Sequence, residues 1–323
     1  MDKLLEVKNL TARFAGSTGM GSAVSGVSFD LDKGEVLGIA GESGSGKTVT
    51  AMSMVRLLQS PAQVTADYVR FRSEDLMTMP EHFLRELRGS EISMIFQDPV
   101  SFLNPVFNVG QHMFQTIRCH KKMSERKARL LALETLEKVG LSEPEKKLSY
   151  YPHQLSGGMA QRVMIALAIV TKPSLLIADE PSTSLDVTLQ VQIIDLLLRV
   201  KNELNNSIIL ITHNLAILSQ MADRVHIMYA GEIVEKIAMN TLFSNAFHPY
   251  TRGLIDSLPR ITRRLERLNT IPGNIPDIFS YSESCRFADR CERVMDICRK
   301  KSPPEFEVNP GHFACCWLAS GEK

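Results

Sequence analysis

The sequence predicts an α/β protein: a parallel-sheet core around a phosphate-binding loop, a mostly helical insertion, and a small cysteine-bearing C-terminal extension. Three observations predict it. The apolar runs in SLLIADE and SIILITHN flank a helix-like stretch, TLQVQIIDLLLRVKNEL, and that alternation implies parallel strands joined by a crossover helix. The stretch GESGSGKT stands between a strand-like run and a helix-like run, which is the context a phosphate loop requires. Beyond HPYTRGL the periodicity fades into prolines, arginines and cysteines.

In chain order, LLEVKNLTARF and VSFDLDKGEVLGIAG supply strands, the last ending in glycine. TVTAMSMVRLLQ then has helical spacing. From about Glu81 to Gly157 the chain reads as helical, and SERKARLLALETLEKVGL is an amphipathic helix with Ser124 as its expected N-cap. After RVHIMYAGEIVEK the pattern weakens. The expected division is a first domain at 1–247, with a helical subdomain at about 81–157, and an extension at 248–323.

Composition sets limits on function. At 323 residues with 44% hydrophobic and 23% charged content, the chain fits a globular protein with one large and one small domain. A net charge of +1 gives no basic excess for non-specific nucleic-acid binding. MDKLLEVKNL is too polar for a signal-peptide core, and VMIALAIV is too short to span a bilayer, so a cytoplasmic protein is expected unless a partner brings it to a membrane.

The motifs carry chemistry. Gly41, Ser43, Gly44, Ser45 and Gly46 form a loop whose backbone N–H groups can wrap phosphates; Lys47 reaches the β- and γ-phosphates, and Thr48 can ligate Mg2+. Asp179 and Glu180 end an apolar strand, where an open α/β sheet binds ligand. Asp179 is the expected Mg2+ holder, and Glu180 the base that polarises the attacking water. His213 follows another apolar strand and can contact a γ-phosphate, and Gln97, after MIF, can reach the metal or the water. In LSGGMAQR, Ser156 caps a helix whose Gly157 and Gly158 allow a second anion to approach.

The phosphate loop, Gln97, LSGGMAQR, LLIADE, PSTSLD and His213 occur in that order, and the set resembles the ATP-binding subunit of ABC transporters over roughly the first 250 residues. The resemblance implies ATP with Mg2+ and a head-to-tail dimer of nucleotide-binding domains. Ser156, Gly157, Gly158 and Asp186 would then face the partner's ATP. It also implies that Phe14 stacks on adenine, a buried core role being the alternative, and places Val49 among the nucleotide contacts. Met159 stands where many members have Gln, Ser184 where Ala is common, and Asn214 where Asp is frequent. IFQDPVSFLNP, YPHQLSGGMAQRVMIA and HPYTRGL resemble the dipeptide and oligopeptide importer branch, which includes nickel importers. That branch implies two transmembrane permease subunits, a second homologous ATPase (a homodimer being the alternative), an extracytoplasmic solute-binding protein, no nucleic acid, and a peripheral place on the cytoplasmic face of the plasma membrane. The competing readings are a soluble ABC ATPase of DNA repair or translation and a nucleotide-gated regulatory subunit. The first lacks its two-domain or coiled-coil form here, and the second is opposed by intact Lys47, Asp179, Glu180 and His213.

Cys285, Cys291 and Cys298 follow a C-x5-C-x6-C spacing, and Cys315 and Cys316 come after a proline-containing stretch. Four thiolates can bind zinc or a [4Fe–4S] cluster, zinc knuckles favour closer pairs, and small buried hydrophobes are the plain alternative. The resemblance to the peptide-importer branch implies the cluster, with Cys316 as the fourth ligand and Cys315 its rival.

Overall fold

A computed structural model describes residues 3–17, 19–183, 185–258, 270–281 and 283–321. The departure at Ser184 lies outside them. In chain order the described elements are β1 (Lys3–Gly16), β2 (Gly19–Asp32), β3 (Val36–Ala40), α1 (Lys47–Met54), β4 (Gln63–Thr65), β5 (Tyr68–Phe71), β6 (Glu74–Asp75), α2 (Glu81–Leu87) and β7 (Ile92–Ile95). Then come α3 (Pro99–Phe102), α4 (Val109–His120), α5 (Glu125–Lys138), α6 (Pro144–Lys147), α7 (Gly157–Ile169), β8 (Leu175–Asp179), α8 (Val187–Leu204) and β9 (Ser207–Thr212). The last are α9 (Leu215–Leu218), β10 (Arg224–Tyr229), β11 (Glu232–Ala238), α10 (Met239–Asn245), α11 (Pro249–Asp256), β12 (Phe306–Asn309) and β13 (His312–Ala314).

These elements form two compact units. The first holds Asp32–Val36 and Thr78–Ile211. In it β8 runs parallel to both β7 and β9. All three strands are almost wholly buried, as parallel strands covered on both faces must be. Helix α7 packs against β7 and against α3, α4, α5 and α8. It can do so because Ala160, Val163, Ile165 and Ala166 are buried on it. Helix α4 starts at a capping box in which Asn108 Oδ1 accepts from Gln111 N at 2.8 Å and Gln111 Oε1 accepts from Asn108 N at 2.8 Å. Ser124 does stand at the N-cap of α5, but its hydroxyl makes no capping hydrogen bond. Helix α8 ends on Asn205, a left-handed residue of a type that tolerates that conformation.

The second unit holds the described residues of Lys3–Leu31, Leu37–Met77 and Thr212–Lys323. One of its sheets has the order β2-β1-β5-β6, with β4 also paired to β1. In the other, β3 is parallel to β10, β10 antiparallel to β11, β11 to β13 and β13 to β12. Helix α1 is shorter than the TVTAMSMVRLLQ stretch: it stops at Met54, and Arg56 turns left-handed at φ 52.

The C-terminal extension is thus built into this unit as the hairpin β12–β13 on the edge of β11. A buried carboxylate anchors it. Glu235, 1% exposed, accepts from the backbone N–H groups of Phe247 at 2.6 Å and His248 at 3.1 Å, and pairs with His312 Nε2 at 2.7 Å. A buried acceptor with several donors is satisfied, and so is stable in a low dielectric.

Two buried imidazoles have the opposite electrostatics. Burial holds His226 and His248 down to about 3, with Lys236 and Arg224 adding to the shift at His226. The neutral His248 ring accepts from Tyr250 N at 3.1 Å through Nδ1. In the unfolded chain these groups titrate near the usual 6.5, so below that pH the unfolded state binds more protons. Their contribution is present at neutral pH and is lost as the pH falls from about 6.5 toward about 3. Urea midpoints measured at pH 7 and pH 5 should therefore fall less for His226→Phe than for the parent chain. An equal fall in both would remove His226 from the acid limb.

Candidate nucleotide site

In the second unit the phosphate loop joins the buried end of β3 to the N-terminus of α1. Two of its glycines are required by space and conformation. A Cβ on Gly41 would lie 2.2 Å from the carbonyl oxygen of Met228. At Gly46, φ is +101° and a Cβ would lie 2.6 Å from the carbonyl oxygen of Ala23. Gly46 is also the N-cap of α1 and offers no side chain, so the first amides of the helix point into the loop. Lys47 is buried and folds back, donating to the carbonyl oxygens of Gly41 at 2.8 Å and Glu42 at 2.9 Å. Ser45 is fully buried, and its carbonyl accepts from Gly231 N at 2.9 Å. Thr48 and Val49 are half-buried in the first turn of α1.

The same unit carries Phe14, half-buried on β1, and His213, exposed after β9. Asn214 caps α9, its Oδ1 accepting from Ala216 N at 3.0 Å. Ser43 and Gly44 line a cavity of about 610 Å³ with Glu42, Arg290 and residues 271 and 273–278 of the extension.

The first unit carries the other sequence candidates. Asp179 ends β8 at 1% exposure, and Glu180 follows it, buried, with φ 48. Hydrogen bonds hold that turn: Glu180 N donates to Ile211 O at 2.8 Å, Thr183 N to Glu180 O at 3.1 Å, and Thr183 Oγ1 to Glu180 Oε2 at 2.6 Å. A left-handed non-glycine at a strand end is a local cost that such contacts must offset. Gln97 is exposed after β7. Ser156 is the N-cap of α7, its Oγ accepting from Met159 N at 3.3 Å, and a Cβ on Gly158 would approach Leu189 Cδ1 at 3.2 Å. Asp186 has the same kind of work on α8, its Oδ1 accepting from Leu189 N at 2.9 Å.

All six cysteines are free thiols. Among the described residues no group of three or more His, Cys, Asp or Glu side chains is arranged to hold a metal ion. The metal centre expected on Cys285, Cys291, Cys298 and Cys316 therefore has no formed ligand cage. The four residues are nevertheless electrostatic neighbours. Burial raises Cys285 to about 12, and Cys298, Cys316 and Cys291 add to the shift. Burial also raises Cys316, with Cys291 and Cys298 contributing, and raises Cys291, with Cys298 contributing. Cys315 is occupied elsewhere: its Sγ donates to Ile233 O at 3.4 Å. Cys298 and Trp317 pack with Ala288 in a small apolar cluster that Cys285 touches.

Residues 24–183 match the ABC transporter family, and residues 234–298 match the C-terminal region of oligopeptide/dipeptide transporters. The chain is 44% identical to a probable peptide ABC transporter ATP-binding protein of Sinorhizobium fredii, over 99% of this chain and 96% of that one. The chain belongs to the ABC transporter family. It is also 44% identical to the dipeptide transport ATP-binding protein DppD of Bacillus subtilis, over 98% of this chain and 95% of that one. A solved ATP-binding cassette, MJ0796, a dimer in a post-hydrolysis state with ADP and Pi, matches with a TM-score of 0.66 and 25% identity, over 73% of this chain and 98% of that chain. The α/β core around a phosphate loop and the assignment as an ATPase subunit thus agree with the family. Among the described residues no helix is long and apolar enough to cross a membrane.

Sequence reasoning missed Tyr250 and Arg290, which touch the phosphate loop, and Phe279, which packs on β1 and β2. Tyr250 Oη accepts from Glu42 N at 2.8 Å, and Arg290 pairs with the Glu42 carboxylate at 2.8 Å and 3.0 Å. Phe279 lies against Gly16 and Gly21, where a Cβ would meet its ring at 2.4 Å and 2.8 Å. All three come from the extension, where periodicity gave no signal; HPYTRGL was the one local cue to Tyr250.

Gly41→Ala tests how tightly the loop is walled. The added methyl cannot fit against the Met228 carbonyl, so the loop must shift, at about 1–3 kcal/mol by analogy with overpacked cores. Equilibrium dialysis should show ATP binding weakened more than tenfold, with a lowered melting midpoint. Parental values in both measurements would show that the loop yields freely.

Proposed function

We propose that this chain is the ATP-hydrolysing subunit of a dipeptide or oligopeptide importer, driving two membrane permeases by ATP-dependent closure with a second, homologous ATPase chain. The observation that supports the cargo class most is the pairing, on one chain, of the ABC match with the oligopeptide/dipeptide transporter C-terminal region. The full-length similarity to proteins named for dipeptide and peptide transport adds to it. The assembly would sit on the cytoplasmic face of the membrane, beside an extracytoplasmic solute-binding protein that delivers the cargo. Val100, Phe102 and Val106 stand exposed shortly after Gln97, an apolar surface suited to a permease.

In this reading the amides of Gly41 to Thr48 hold the phosphates, Lys47 leaves its carbonyl partners for the β- and γ-phosphate oxygens, and Phe14 stacks on adenine. Thr48, Asp179 and Gln97 supply oxygen donors of the kind Mg2+ prefers. Bound there, Mg2+ would neutralise charge developing on the phosphates. Glu180, with one carboxylate oxygen fixed by Thr183, accepts the proton of the attacking water, and His213 contacts the γ-phosphate. Ser156, Gly157, Gly158 and Asp186 act toward the nucleotide of the partner chain. The single amide taken by Ser156 Oγ is that of Met159, which leaves the glycine amides for an anion.

The extension is proposed to hold a [4Fe–4S] cluster on Cys285, Cys291, Cys298 and Cys316, zinc being the alternative. Support comes from the charge influence of neighbouring cysteines on Cys285, Cys291 and Cys316, and from the separate engagement of Cys315. A bound cation would reverse the raised thiol pKa values by stabilising the thiolates, and the centre would be structural, adding folding energy to a small core.

Two experiments test these assignments. Glu180→Gln in the purified transporter should keep ATP binding while phosphate release falls a hundredfold or more, the scale of losing a general base; near-parental turnover would refute the assignment. Anaerobic purification should yield brown protein with stoichiometric iron and sulfide, and Cys291→Ser should lose the colour but keep ATP binding. Stoichiometric zinc without iron would leave the metal site and remove the cluster, and no metal at all would return the cysteines to a packing role.

A further inference from the structure

Arg290 has no part in the chemistry above, yet it is a firmly held cation beside the phosphate loop. Its side chain is 7% exposed, and all its guanidinium hydrogen bonds are specific. Nε donates to Pro272 O at 2.8 Å, one terminal nitrogen to Glu42 Oε2 at 2.8 Å and Tyr229 Oη at 3.4 Å, and the other to Glu42 Oε1 at 3.0 Å and Ile271 O at 3.4 Å. A guanidinium has five N–H donors in a planar fork, so this environment uses every one of them. The ring of Tyr229 lies beneath it at 5.6 Å.

Glu42, the residue so gripped, is the second of the phosphate loop, and each of its polar parts is held. Its N–H donates to Tyr250 Oη, its carbonyl accepts from Lys47, and its carboxylate takes the Arg290 fork. A carboxylate in a loop that receives a polyanion is an electrostatic conflict, because like charges repel across a partly dehydrated site. A buried, bidentate arginine removes that conflict where a mobile surface cation would be screened and loosely placed.

We propose that Arg290 is a positioning residue for the nucleotide: its fork on Glu42 neutralises the carboxylate at the mouth of the phosphate loop and holds the loop's second residue in place as the triphosphate enters. This rests on the reading of Gly41–Thr48 as the ATP-binding loop. It assigns the C-terminal extension a direct part in nucleotide affinity. The effect should scale with ligand charge, so ATP is more sensitive to Arg290 than AMP.

The test is equilibrium binding of ATP and AMP to the full-length chain. Arg290→Met leaves an uncompensated carboxylate and should weaken ATP about tenfold, AMP much less, with the deficit shrinking as NaCl rises. Combining it with Glu42→Gln removes both charges and should bring ATP affinity back to within about twofold of the parent. A purely structural arginine would give the reverse, a double variant as weak as Arg290→Met or weaker, and that result overturns the proposal, as does parental ATP binding by Arg290→Met. Should Arg290→Met fail to fold, Glu42→Gln alone decides. It leaves the cation facing the phosphates, so ATP affinity should rise and its salt dependence steepen, whereas a weakened or unchanged affinity counts against the proposal. Lys47→Ala keeps the two readings apart: its loss of ATP binding upholds the phosphate loop, so a null result at Arg290 then falls on this proposal alone.

Discussion

Recognition of phosphate by bare backbone amides requires a loop that turns without side chains in its way, and the second unit is arranged around that requirement. The carbonyl oxygens of Met228 and Ala23 stand where Cβ atoms on Gly41 and Gly46 would have to go. A Cβ on Gly231 would lie 2.6 Å from the same Ala23 carbonyl, and Gly231 N donates to Ser45 O, so strands β2 and β10 and the turn after β10 wall the loop on several sides. The loop is therefore held by its neighbours as well as by its own Lys47 and Glu42 side chains. Its buried lysine rests on carbonyl groups of the loop, which in the proposed reading it exchanges for phosphate oxygens.

The first unit solves the related problem of open helix ends in a different way. Asp98, Asn108, Ser156 and Asp186 each accept from an amide in the first turn of the helix they precede. Each satisfies one donor and leaves others, which is how a single residue can both start a helix and prepare an anion site. Asp179 and Glu180 belong to the same economy of strand ends. The buried strand delivers the first carboxylate, and a left-handed turn pinned by Ile211 O and Thr183 directs the second.

The extension is joined to the phosphate-loop unit by contacts that differ in kind. Main-chain pairing adds β13 to β11, a buried Glu235 gathers Phe247, His248 and His312, and Arg290 and Tyr250 grip Glu42. Arg290 directly precedes Cys291, so the loop that carries the thiols is one peptide unit from the ion pair on the phosphate loop. The cysteines and the nucleotide site are therefore not physically independent.

The amino-acid sequence by itself determined the phosphate loop, the paired carboxylates at a strand end, the glycine-flanked N-cap at Ser156 and the alternation of buried strands with helices. These features are local: a glycine is needed where the backbone turns, a cap stands beside the amides it serves, and a strand's burial is written in consecutive residues. It also marked the four cysteines, but not whether their thiols converge on a metal. The tertiary structure alone decided that α1 stops at Met54, that Asp186 works as a helix cap, and that Cys315 turns away to Ile233. It decided the surroundings of Glu42 as well, whose partners Tyr250 and Arg290 lie 208 and 248 residues away along the chain. A hydrogen bond across such a distance leaves no period or spacing in the sequence, because each residue is locally ordinary and only the folded chain brings the pair together.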